Sequence, residues 1–206
     1  MMKYLVITGD IIESRKSGIT NEILKKKLLE IEYPDNLLAP FRLSRGDEIQ
    51  AVFRGYISFP AMLRQIRYLL RPLKLRFGIG FGEIEEQSTD RNSWNMNGTA
   101  FHYAREALDI ITAEDFFQTI FLSNSDYDEA INTILLLIDN FQNSWTEAQW
   151  EAVYYYEKLG TYKKAAEKLN IAFQSIGKRC KAAKWREIRY AEDIIDRIIK
   201  NMFKGD

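Results

Sequence analysis

The stretch LKLRFGIGFGEIEE, residues 73–86, constrains the fold more than any other part of the chain. Alternating apolar positions over this length describe an extended strand, and Gly78, Gly80 and Gly82 fall at period two, so all three lie on one face. Three side chains are missing where a strand would normally pack, which marks a face reserved for a close neighbour. A helix, another backbone or a ligand would each meet that requirement.

The rest of the first two thirds supplies a sheet for this strand. KYLVITGD (3–10) is a short β-branched apolar run of the kind that forms a buried central strand. TNEILKKKLLEIE (20–32) carries Ile23, Leu24, Leu28 and Ile31 at helical spacing, with Thr20 or Asn21 as N-cap. FRLSRGD (41–47) and EIQAVF (48–53) read as a hairpin, and YISFPAMLRQIRYLLRPL (56–73) as a helix with Pro60 in its first turn and Pro72 at its end. NGTAFHYAREALDII (97–111) is a third helix, QTIFLS (118–123) a last strand, and YDEAINTILLLIDNF (127–141) a helix leading out. The order β-α-β-β-α-β-α-β-α predicts an α+β protein with a ferredoxin-like, split βαβ core, its helices mainly on one face. EEQSTDRNSWNMN (85–97) is the longest polar connection, of the type that often carries function.

After residue 142 no strand pattern recurs. TEAQWEAVYYYEKLG (146–160), TYKKAAEKLN (161–170) and AFQSIGKRCKAAKW (172–185) read as three helices broken at Gly160 and Asn170, the layout of a helix-turn-helix unit. RYAEDIIDRIIKNMF (189–203) is an amphipathic last helix whose isoleucine stripe suits packing or a dimer seam. Two domains are therefore expected, 1–142 and 143–206.

Cys180 and His102 are the single cysteine and histidine, so neither an internal disulfide nor a Cys/His zinc cluster is possible, and oxygen ligands remain for any metal. No apolar stretch reaches the roughly 20 residues of a bilayer span, and the acidic turn of MMKYLVITGD argues against a signal peptide. A cytoplasmic protein in a reducing compartment is expected. The net charge of zero hides an asymmetry, since residues 143–206 hold 13 Lys and Arg against 9 Asp and Glu. A basic segment in a neutral chain points to a polyanion partner or to a solvated helix face. His102, in an apolar helix, reads as a partly buried packing residue, and Cys180 as a packed thiol.

Asp10 ends the first strand and Asp47 lies in the hairpin of the next two, which a split βαβ sheet makes neighbours. Two carboxylates with the Ile11 carbonyl and no soft ligand suit Mg²⁺ or Mn²⁺. The plainer reading is a turn residue and a hairpin residue. DIIESR (10–15), RGDEIQAVF (45–53), LKLRFGIGFGEI (73–84) and NGTAFHYAREAL (97–108) together resemble, in order, four motifs of class III nucleotidyl cyclases. That resemblance implies that Asp10, Ile11 and Asp47 hold divalent metal, and that Ser14, Arg15, Arg45, Gly46 and Glu48 meet a nucleoside triphosphate. With Gly98 aligned to the family's glycine, His102 stands at its asparagine and Glu106 at its transition-state arginine, with Arg105 one step early and about 100° round the helix. His102 and Arg105 are the candidate catalytic groups, and the mismatch shifts the expectation from turnover towards nucleotide binding. The chain as a whole resembles the SatD-like family of bacterial proteins.

In the tail, Ala165 and Ala166 allow close helix packing, and Gln174, Ser175, Lys178, Arg179, Lys181 and Lys184 are the candidate DNA-binding residues. TEAQWEA and AAEKLNI resemble the corresponding region of sigma-like and other bacterial regulators. The leading expectation is a homodimeric regulator that senses a nucleotide with metal and binds DNA. The alternatives are an enzyme that cyclises or hydrolyses a nucleoside triphosphate, and a degenerate scaffold that makes protein contacts alone.

Overall fold

A computed structural model of the chain describes residues 2–12, 20–44, 47–85, 91–114 and 116–204. Five strands form one mixed sheet: β1 (Tyr4–Ile12), β2 (Leu37–Leu43), β3 (Glu48–Arg54), β4 (Lys74–Gly82) and β5 (Thr119–Leu122), in the spatial order β2-β3-β1-β4-β5. β1 sits at the centre, antiparallel to both β3 and β4, β2 pairs antiparallel with β3, and β5 runs parallel to β4 at the edge. The helices among the described residues are α1 (Asn21–Leu28), α2 (Phe59–Leu69), α3 (Thr99–Ala113), α4 (Asp128–Asn143), α5 (Glu147–Leu159), α6 (Tyr162–Leu169), α7 (Phe173–Ala182) and α8 (Trp185–Lys204), with a 3₁₀ turn at Ser93–Asn95.

Alternation along the strands sorts the sheet into two faces. Leu5, Ile7, Ile49, Phe53, Phe77 and Ile79 share one face, where α1, α2 and α4 cover them with Leu24, Leu63, Ile66 and Leu135. Burying side chains of this size contributes roughly 1.5–3 kcal/mol each. The other face carries Tyr4, Val6 and Val52, and it is closed by α3 through Ala100 and Ala104. The glycine ladder is what admits α3: a Cβ on Gly80 would lie 1.9 Å from the Ala100 carbonyl oxygen, and one on Gly78 2.2 Å from that of Ala104. The close neighbour demanded by residues 73–86 is thus a helix backbone, and helices occupy both faces instead of mainly one.

Sequence signals set the helix ends. The Ile23 N–H donates to Thr20 Oγ1 at 3.4 Å, Thr146 and Gln149 form a reciprocal capping box, and Gly160 and Asn170 end their helices at φ 77° and 52°. The helices after residue 143 pack back on the sheet portion, because Trp145, Trp150, Trp185 and Ile195 belong to the same apolar cluster as Leu5 and Phe77. Arg64 on α2 donates from Nε and Nη2 to both oxygens of Glu192 on α8, at 3.0 and 3.2 Å, and its guanidinium lies 4.3 Å from the Trp185 ring centre. The isoleucine stripe of α8 is spent in this packing, with Ile195 and Ile199 fully buried. No helix among the described residues is long and apolar enough to cross a membrane.

Candidate functional site

Thr8 and Asp10 point to the α3 face of β1, because Gly9 between them abuts Ile49 and Phe77 on the other face. Asp10 lies directly across from Glu48 on β3 and Arg76 on β4, while Asp47 immediately precedes β3. The hairpin therefore brings Asp10, Asp47 and Glu48 to one edge of the sheet. The Ile11 side chain is buried on the opposite face, which leaves only its backbone to serve a ligand here. Ser14, Arg15, Arg45 and Gly46 lie outside the described residues.

The seating of α3 decides which of its residues joins the cluster. Ala104 rests on Gly78 and Gly80, so Arg105, about 100° further round, leans over the sheet edge. Its Nη1 and Nη2 donate to Glu48 Oε1 and Oε2 at 2.8 and 2.7 Å, a fork matched to a carboxylate. Glu106 is a further 100° away and exposed. Of the two neighbours on α3, it is Arg105 and not Glu106 that reaches the sheet edge, through Glu48. His102 does not join it, standing exposed on the solvent side of α3 in place of the partly buried setting its apolar neighbours suggested.

Burial raises the Asp10 carboxyl above its ordinary value, and Asp47 and Glu48 raise it further against the pull of Arg76 and Arg105. Arg105 is raised chiefly by its hydrogen bonds to Glu48. The side-chain oxygens gathered here are hard donors with excess negative charge, and among the described residues no three His, Cys, Asp or Glu side chains form a metal-holding group. Beside Asp47 and Glu48 opens a cleft of about 730 Å³ lined also by Leu43, Ser44, Asn92, Trp94 and Asn95. Trp94 and Asn92 come from the long polar connection and were not singled out in the sequence. An aromatic within that polar run was the available signal.

In the tail, α5, α6 and α7 pack on one another. Ile176 and Cys180 form the buried side of α7, with Ala183 just past its end, and burial pushes the Cys180 thiol up to about 11, the packed thiol that was expected. Gln174, Lys178 and Lys181 line the opposite, exposed side at spacings of four and three, and Lys184 is exposed just past the helix. Ser175 is half-buried, and Arg179 turns to Glu151 on α5 at 3.8 Å.

The family model of the SatD family matches residues 4–193. No curated protein matches. Among solved structures the chain is similar to a regulator of polyketide synthase expression from Bifidobacterium adolescentis, at 13% identity and a TM-score of 0.30, covering 96% of this chain and 81% of that one.

Proposed function

The chain belongs to the SatD family, and we propose that it is a regulatory protein in which the sheet edge binds a nucleotide with divalent metal and the tail binds DNA. The observation that carries this reading is the gathering of Asp10, Asp47, Glu48 and Arg105 from three separate segments, β1, the hairpin into β3 and α3, into one cluster beside an open cleft. Asp10 and Asp47 would hold Mg²⁺ or Mn²⁺, which supplies the charge that neutralises a triphosphate. Arg105 would exchange Glu48 for phosphate oxygens, a swap between two partners of the same geometry. Strand order and directions like those of a split βαβ sheet support the ferredoxin-like, cyclase-like reading of residues 1–142. Three short packed helices presenting a Gln174, Lys178 and Lys181 stripe support the helix-turn-helix reading of the tail, with paired half-sites favouring a homodimer.

The arrival of Arg105 at the cluster favours a second reading, turnover of a nucleoside triphosphate by cyclisation or hydrolysis, with Arg105 stabilising charge on the transferred phosphoryl group. Calorimetric titration with ATP and GTP in Mg²⁺ or Mn²⁺ tests both. Metal-dependent binding that Asp47→Asn removes is expected, and product in the same tubes would assign turnover. Absence of any binding leaves a scaffold and sinks both. For the tail, anisotropy of labelled duplex DNA at low salt is expected to show binding that a Lys178→Glu/Lys181→Glu variant loses.

A further inference from the structure

A second cavity, sharing no lining residue with the cleft beside Asp47 and Glu48, lies in the wedge between the sheet portion and the tail helices. It measures about 790 Å³, within the roughly 300–1,000 Å³ of small-molecule sites. Tyr33, Tyr56 and Met62 line it from the sheet portion, and Tyr154, Asp196 and Lys200 from α5 and α8. Most charges at its wall are already matched. Arg64 is held by Glu192, Lys158 by Glu32 at 2.8 Å, and Glu157 by Arg189 at 3.4 Å. The other charged groups of the wall are Asp35 and Lys200, both exposed, and Asp196, which is half-buried. Asp196 Oδ1 is buried with no hydrogen-bond partner. Lys200 places its ammonium 5.4 Å from the Tyr56 ring centre, and Lys158 does the same over Tyr154 at 5.8 Å. The chain's own lysines thus mark two places where the wall accepts an ammonium over a tyrosine face.

The geometry points to a binding site for an organic cation, an amine carrying an apolar body, whose ammonium pairs with Asp196 and displaces Lys200 from Tyr56 while the body lies on Tyr33 and Met62. Burial raises the Asp196 carboxyl against the lowering pull of its hydrogen bonds to Tyr56 and Ser58 and of the Lys200 charge, and its Oδ1 is the oxygen left for a desolvated cation to meet. Since the walls come from both portions, an occupant would tie the tail to the sheet. This site is independent of the nucleotide reading.

Titration calorimetry of the full chain with 2-phenylethylamine, against 2-phenylethanol as the neutral isostere, tests it. The expected result is saturable binding of the amine and none of the alcohol, with Asp196→Asn weakening the amine by about tenfold or more. Lys200→Met, which removes the competing ammonium from an exposed position, is expected to tighten it, and keeps the test decisive where Asp196→Asn does not fold. Failure of both wild type and Lys200→Met to bind the amine overturns the proposal. So does equal uptake of the alcohol, unchanged affinity in a folded Asp196→Asn, or loss of the amine on Asp47→Asn at the sheet edge.

Discussion

Arg105–Glu48 and Arg64–Glu192 are both bidentate pairs between a helix arginine and a glutamate far away in sequence, yet their surroundings are opposite. The arginine and glutamate side chains are 50% and 27% exposed in the first pair and 8% and 5% in the second. In water an ion pair gains little over its solvated parts, so the first contributes about 0.2–1 kcal/mol and is free to exchange partners. In the core the cost of desolvation is already incurred, and either charge left alone is strongly unfavourable. The same chemistry therefore serves as an exchangeable contact at the sheet edge and as a fixed clamp between α2 and α8.

Removing one partner of the clamp gives the largest expected effect. Arg64→Met strands Glu192, which is 4% exposed, and should cost about 3–5 kcal/mol in urea denaturation. Adding Glu192→Leu should restore most of it, since an apolar pair of similar volume needs no desolvation. A double variant as unstable as the single one would show that the clamp is not electrostatic. Next comes Gly80→Ala, whose Cβ meets the Ala100 carbonyl, a backbone atom that cannot swing aside. A loss of about 1–3 kcal/mol is expected. Because α3 must lift, Arg105 should also lose Glu48, so nucleotide binding should fall with stability. Arg105→Met should instead leave stability within about 1 kcal/mol of wild type while weakening any nucleotide bound at the edge. A large stability loss there would erase the contrast between the two pairs.

The regions differ as sharply in how far sequence foretold them. Element order, the Thr20, Gly160 and Asn170 helix ends and the demand made by Gly78, Gly80 and Gly82 were legible, because capping and period-two patterning act within a few residues. Asp10 and Asp47 were legible as neighbours because a split βαβ order makes them so. The phase of α3 was not. Which of Arg105 and Glu106 faces the carboxylates depends on where Ala100 and Ala104 seat against the strand, a fact 20 or more residues away from either side chain. His102 misled for the same reason, since apolar neighbours in a helix do not say which side is dry. Arg64 and Glu192 are separated by 128 residues and read as ordinary helix-surface charges. Nothing local tells a clamp from a solvated face.

Asp196 completes the comparison as a partly buried acid with no arginine fork. Burial is the main cause of its raised value, partly offset by Tyr56, Ser58 and Lys200. A carboxyl raised in the folded state favours folding while protonated. Its contribution is complete below the unfolded value of about 3.9 and is lost as pH climbs through the higher folded value. Asn at this position cannot ionise. Thermal denaturation of Asp196→Asn should thus gain on wild type as pH rises from about 3 to about 7, by the smallest margin of the four variants, because Lys200 and the Tyr56 hydroxyl already temper the charge. Parallel profiles would mean that this carboxylate is fully satisfied in the folded protein, which would remove the undercompensated charge on which amine binding depends. A gain that saturating 2-phenylethylamine reverses, by stabilising only the wild type, would tie the buried acid to its ligand in a single measurement.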